Sequence, residues 1–170
     1  VSGSSSGIGR ATAHQLREAG IHEIVIVVGE NIEKYLYLRE KYGIKIVVNN
    51  EYNSSGMLSS IYSARDYLGR TYICRFDNYY PYNPFNRYEY RSYFCIRRDG
   101  AQAGDDMPRI GSDGTLLEIQ DRLINKPSLY GHAYADDDFA AAFRRILYRY
   151  YDRNGLRKTT LVEAFAENLK

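Results

Sequence analysis

Two β-branched runs restrict this chain more than any other feature: Ile24-Val25-Ile26-Val27-Val28 and Ile44-Lys45-Ile46-Val47-Val48. The first is apolar without alternation, which marks a strand covered on both faces and favours parallel pairing. Each run is preceded by a helical pattern and a glycine stop. Residues 10–19 place Ala11, Leu16 and Ala19 on one side of a helix that Gly20 ends. Residues 31–42, with Asn31 as the expected cap, read as a second helix that Gly43 ends. After a polar loop, residues 57–68 read as a third helix stopped by Gly69, and residues 71–76 as a third strand running into Asp77-Asn78. Helix and strand therefore alternate three times, the order of an open parallel sheet with right-handed crossovers.

The pattern changes after Asp77. Residues 92–97, 115–120 and 129–135 are short strand-like runs separated by Asp99-Gly100 and Asp113-Gly114 turns, which predict antiparallel additions at one edge. Asp136-Asp137-Asp138 opens a helix to about Tyr151, its carboxylates matching the dipole of a first turn, and a last helix is expected from Thr160. The expectation is one three-layer α/β domain over residues 1–170.

Composition narrows the function classes. The 170 residues carry 23 basic against 21 acidic side chains, so no overall field points to nucleic acid. No apolar run reaches the ~18 residues of a membrane span, and no signal-peptide core opens the sequence. Two cysteines, Cys74 and Cys95, fit neither a disulfide framework nor a zinc cluster and read as buried, inert thiols. A cytoplasmic protein without nucleic-acid or membrane partners is expected. Aromatic usage is skewed, with 18 Tyr, 6 Phe and no Trp, so most rings carry a hydroxyl suited to semi-polar pockets.

The opening Gly3-Ser4-Ser5-Ser6-Gly7-Ile8-Gly9-Arg10 is a glycine-rich turn at a helix N-terminus, where backbone N–H groups meet phosphate oxygens and Arg10 adds a forked donor. By itself this loop resembles the cofactor loop of short-chain dehydrogenases. Glu30 after Gly29 and the Tyr37/Lys41 pair also fit that family's needs, although Tyr37 lies far earlier than its catalytic tyrosine. An NAD(P)-dependent reductase is therefore one alternative.

A longer resemblance begins at Leu16. The segments Leu16-Arg17-Glu18-Ala19-Gly20-Ile21, Tyr42-Gly43-Ile44-Lys45, Val48-Asn49-Asn50-Glu51-Tyr52-Asn53 and Ser60-Ile61-Tyr62-Ser63-Ala64-Arg65 resemble the sugar-phosphate and phosphocholine nucleotidyltransferases. Phe76-Asp77-Asn78-Tyr79, Gly131-His132-Ala133-Tyr134 and Ala166-Glu167-Asn168-Leu169 extend the likeness, which is nearest to cytidylyltransferases. It implies a Rossmann-like nucleotidyltransferase fold with a mostly parallel sheet and antiparallel edge additions. It also implies transfer of a nucleoside monophosphate, CMP above others, from its triphosphate to a phosphorylated small acceptor such as phosphocholine or a sugar phosphate, with release of pyrophosphate.

By the same resemblance Ser6, Gly7, Gly9 and Arg10 hold phosphates, and Gly56 and Ser60 contact the base. Asp77 holds Mg²⁺, so that Arg10 and Asp77 carry the catalysis. Tyr79, Tyr134 and Glu163 face the acceptor. Aromatic faces near Tyr79, Tyr80, Tyr82, Tyr130 and Tyr134 would suit a quaternary ammonium group. The sequence departs from the family's pattern at its start, where the phosphate loop is one residue shorter and the helix at Arg10 begins where the family carries a Pro-Lys pair. The family's late acidic motif has no counterpart up to Lys170. A ligand-binding domain without catalysis is the second alternative.

Overall fold

The computed structural model describes residues 8–53, 57–75, 78–97, 107–120 and 128–154. The elements follow the predicted alternation. Helix α1 (Ile8–Glu18) leads to β1 (Val25–Val28), α2 (Leu36–Tyr42) to β2 (Lys45–Val48), and α3 (Met57–Ser63) to β3 (Thr71–Cys74). Then come β4 (Tyr93–Arg97), β5 (Met107–Ile110), β6 (Leu116–Gln120), β7 (Ser128–Ala135) and the long helix α4 (Asp137–Asn154). The final helix expected from Thr160 lies outside the described residues.

The sheet departs from the expectation of mostly parallel pairing. Among the described residues, β1 and β2 form the one parallel ladder, with Val25 opposite Lys45 and Val28 opposite Val48. The other ladders are antiparallel: β3–β7–β4 form a three-stranded sheet and β5–β6 a hairpin. β7 is the cause. It enters beside β3 from the opposite direction and occupies the edge that a further parallel strand would need, pairing Thr71 with Ala135 and Cys74 with His132. The β5 strand was not legible in the sequence, because Pro108 interrupts it and a proline is admitted only where its missing N–H is not required.

Two of the helices depart from the sequence reading, one at its start and one at its end. Asn31 adopts φ 52°, ψ 44° and makes no side-chain cap; a single 3₁₀ turn over Ile32–Lys34 intervenes before α2. Asparagine is among the few residues that enter this left-handed region at modest cost. The third helix breaks at Ala64 into a second 3₁₀ turn, Arg65–Tyr67. At α4 the carboxylate run behaves as predicted for a helix start: Asp136 Oδ1 accepts from Phe139 N at 2.9 Å. Ser92 completes the join, because Asp136 Oδ2 accepts from its backbone N–H and its hydroxyl accepts from Asp136 N.

Burial explains the layering. The alternate residues Ile24, Ile26 and Val28 pack with Leu16 of α1, Ile44 and Phe85. A second cluster joins α3 and α4 to β7 through Leu58, Ile61, Ala135, Phe143 and Leu147. β1 is thus covered from both sides, which its unbroken β-branched sequence requires.

Candidate functional site

The carboxyl ends of β1 and β2 converge on a polar knot. Asn49 follows β2 directly, and its backbone N–H donates to Val28 O at 2.8 Å, continuing the parallel ladder one step. Its side chain is almost wholly buried and uses both amide hydrogens, donating to Ser59 Oγ at 2.8 Å and Ser60 Oγ at 3.1 Å. Its carbonyl oxygen accepts from Glu51 N at 2.9 Å, an Asx turn that reverses the chain after β2. One amide therefore fixes the strand end, the loop and the first turn of α3, and so positions Ser60.

Beside this knot, between β1 and β3, lies a cavity of about 900 Å³. Of the residues expected to form the site, Gly9, Ser60 and Tyr134 line it. Arg10 is exposed on the first turn of α1, one residue after Gly9, and is not among the lining residues. Ser6, Gly7, Gly56, Asp77 and Glu163 lie outside the described residues. Tyr37 and Lys41, the pair that a reductase would need, sit exposed on α2 and do not line the cavity.

The sequence reading missed Tyr52 as a site residue. It lines the cavity beyond the end of β1, and its hydroxyl is shielded from solvent with no hydrogen-bond partner among the described residues. A buried hydroxyl left in that condition is costly, and a ligand oxygen would relieve it. Gly29 explains how the ring reaches this place. A Cβ built on Gly29 would stand 2.2 Å from the Tyr52 ring, so only glycine admits the ring there.

The tyrosines divide into two populations. Tyr134 is buried against Tyr72, with centroids 5.0 Å apart, and stacks on Tyr93 at 6.0 Å. Tyr79 and Tyr82 are exposed, so the structure does not gather these rings into one cage. What Tyr72, Tyr80, Phe85 and Tyr93 surround is the imidazole of His132, with centroids between 5.1 and 5.7 Å. His132 is packed among these rings and is buried. Its Nε2 lies 3.2 Å from Tyr93 Oη and 3.4 Å from Cys95 Sγ.

Glu89 anchors the rim of this cluster, accepting from Tyr72 Oη at 2.7 Å, Asn86 Nδ2 at 3.1 Å and Tyr93 Oη at 3.2 Å. Burial pushes the Glu89 carboxyl up, but these donors outweigh it and hold it below its ordinary value. Burial drives the other members toward their neutral forms. It pushes the Tyr72 hydroxyl up to about 12 and the Cys74 thiol up to about 12, and it raises Tyr93 and Cys95 as well. Both cysteines are therefore thiols at neutral pH, poor nucleophiles and poor metal ligands. Among the described residues no group of three His, Cys, Asp or Glu side chains is placed to hold a metal ion. No described helix is long and apolar enough to cross a membrane.

No family model matches the chain. It is 38% identical over 85 residues to the choline-phosphate cytidylyltransferase of Streptococcus pneumoniae, a match covering 49% of this chain and 37% of that protein. It is 29% identical over 141 residues to the 2-aminoethylphosphonate cytidylyltransferase of Lancefieldella rimae, covering 81% of this chain and 57% of that protein. Among solved structures, the CTP:phosphocholine cytidylyltransferase of Streptococcus pneumoniae superposes with a TM-score of 0.87 at 25% identity, over 98% of this chain and 73% of that one. The chain is thus similar in sequence and in fold to cytidylyltransferases. The inositol-1-phosphate CTP transferase of T. maritima, at 12% identity and a TM-score of 0.68 over 95% of this chain and 66% of that one, shares the fold. The α/β nucleotidyltransferase architecture expected from the sequence is thus present, with the strand pairing corrected above. The chain spans between 37% and 57% of the length of the curated relatives it matches.

Two expectations follow from the site. Gly29→Ala should cost about 1–3 kcal/mol in urea unfolding, and little when made in a Tyr52→Ala background, because the clash is with that ring. An equal cost in both backgrounds would place the constraint elsewhere. The second concerns pH. Burial holds His132 below its ordinary pKa, outweighing the opposite pull of Glu89. The unfolded chain therefore binds a proton that the folded chain does not, and stability should fall as pH drops below about 6.5. The urea midpoint should be lower at pH 5.5 than at pH 7.5, and His132→Gln should shrink that difference; an unchanged difference would exclude His132 as its source.

Proposed function

We propose that this chain is a nucleotidyltransferase domain that passes CMP from CTP to a phosphorylated small acceptor, phosphocholine or a related phosphonate, with release of pyrophosphate. The observation that carries this reading is the close superposition with a CTP:phosphocholine cytidylyltransferase over nearly the whole chain. The curated relatives, named for choline-phosphate and 2-aminoethylphosphonate, share an acceptor with a small amine-bearing tail and an anionic phosphorus group.

In this reaction an acceptor oxygen attacks the α-phosphorus of the triphosphate, the bond to the β-phosphate oxygen breaks, and pyrophosphate leaves with the electron pair. Catalysis of that kind is mostly placement and charge stabilisation. The chain's own contributions follow from its elements. Gly9 at the start of α1 leaves room for phosphate oxygens near the helix end, whose N–H groups lack internal partners. Arg10 supplies a forked cation on the same turn. Ser60, held by Asn49, and the unpaired hydroxyl of Tyr52 offer polar contacts to the nucleoside.

In the assignment proposed here Gly7, Ser6 and Gly56 extend the nucleotide contacts, while Tyr79, Tyr134 and Glu163 serve the acceptor. A divalent ion, Mg²⁺ in this proposal, would neutralise charge on the triphosphate. Asp77 fits it as a hard oxygen donor just beyond β3, the end of a strand where open α/β sheets take their ligands. The proposed setting is the cytoplasm, where CTP and phosphorylated acceptors meet without a membrane or nucleic-acid partner.

Isothermal titration with CTP tests the assignment. Binding should tighten when Mg²⁺ is added, and Asp77→Ala should abolish most of that gain, about tenfold or more, while leaving the metal-free affinity nearly unchanged. An Asp77→Ala variant that keeps the full Mg²⁺ dependence would remove Asp77 from the metal site.

A further inference from the structure

One side chain of α4 touches both arms of the turn that leaves β2. The Tyr151 hydroxyl donates to Glu51 Oε1 at 3.2 Å, across 100 positions of sequence. Its ring lies flat on Tyr62 of α3, with centroids 4.1 Å apart and planes 5° from parallel. Glu51 directly precedes Tyr52, whose ring lies against Gly29, and Tyr62 shares α3 with Ser60. Tyr151 therefore spans the gap between the loop that carries Tyr52 and the helix that carries Ser60.

The platform under Tyr151 is built from directional contacts. Arg65 places its guanidinium 4.3 Å from the Tyr62 ring centroid and 5.4 Å from that of Tyr148. Its Nε donates to Tyr148 Oη at 3.1 Å and its Nη1 to Tyr62 O at 2.9 Å. Tyr148 meets Tyr62 edge-on at 5.8 Å, so α4 engages Tyr62 through two rings of different orientation. The charge of Glu51 and its hydrogen bond raise the Tyr151 hydroxyl above its ordinary pKa, which keeps the proton on the donor at neutral pH.

The same two arms are joined a second time by Asn49, through Glu51 N and Ser60 Oγ. Asn49 is buried and fixes the backbone at Glu51, whereas Tyr151 works from the surface and grips the side chain of that residue. Between them the turn has little freedom to swing Tyr52 away from α3.

We infer that Tyr151 is a positioning residue, which sets the spacing of Tyr52 and Ser60 from outside the site. The inference rests on the reading of those two side chains as nucleoside contacts, and it gives α4 a part in nucleotide affinity. Tyr151 acts through Glu51 and Tyr62 and touches no substrate itself.

Three single variants test it. Tyr151→Phe keeps the stacked ring and removes the donor, Glu51→Ala removes the acceptor, and Glu51→Gln keeps an acceptor oxygen. Each is titrated with CTP by calorimetry, and hydrogen exchange is followed at the Glu51 amide of the unliganded chain. Tyr151→Phe and Glu51→Ala should each weaken CTP binding about three- to tenfold, the equivalent of one hydrogen bond, and speed that exchange. The urea midpoint should stay near that of the unaltered chain, and Glu51→Gln should keep the unaltered affinity. The double variant Tyr151→Phe/Glu51→Ala should bind no more weakly than either single one, because both remove the same contact. Unchanged CTP affinity in Tyr151→Phe would overturn the inference, as would additive losses in the double variant. An unaltered chain that takes up no CTP would count against nucleotidyl transfer instead. Exchange then decides the tie, and a Glu51 amide no faster in Tyr151→Phe would overturn it.

Discussion

The buried side chain of Asn49 is the interaction on which the arrangement of the site depends. It closes the parallel β1–β2 pair, turns the chain through Glu51 and ties down both serines at the start of α3. The bond to Ser59 is buried and those to Ser60 and Glu51 are part-buried; leaving a buried partner unmatched costs about 1–3 kcal/mol. The relative position of these strand ends and the helix start is thereby fixed through one side chain. Gly29 and Tyr52 add a second, steric constraint at the same corner, where the absence of a Cβ lets an aromatic ring lie flush with the strand end.

Away from that corner the molecule is held by two apolar clusters, one around α1 and β1 and one joining α3, α4 and β7. The tyrosine excess is absorbed chiefly by a polar-aromatic layer behind β3 and β7, where Glu89 collects hydroxyl donors and His132 is enclosed by rings. The rings bury area while the Tyr72 and Tyr93 hydroxyls find a partner in Glu89, which lowers the cost of a core rich in Tyr. This layer keeps its titratable members neutral, apart from Glu89, and stabilises the sheet rather than serving chemistry.

Much of this was readable from the chain itself. The β-branched run Ile24 to Val28 announced a strand covered on both faces, and the glycine stops placed α1, α2 and α3 within a few residues. The direction of β7 was not readable, since a strand of eight residues carries no mark of which neighbour it will join or from which side. That is why a mostly parallel sheet was expected where antiparallel ladders dominate. Of the cavity's lining, Gly9 and Ser60 stood in segments that the sequence had marked. Tyr52 was not read as a site residue, because its importance comes from a contact with Gly29 across a turn and not from any pattern of spacing.

Nucleotidyl transfer by this fold is the reading on which the proposed residue roles depend. The direct measurement is pyrophosphate release by the purified chain supplied with CTP, phosphocholine and Mg²⁺. Release that requires the acceptor and is lost with Asp77→Ala is expected. Release no greater than in the absence of phosphocholine, or none at all, would contradict that reading.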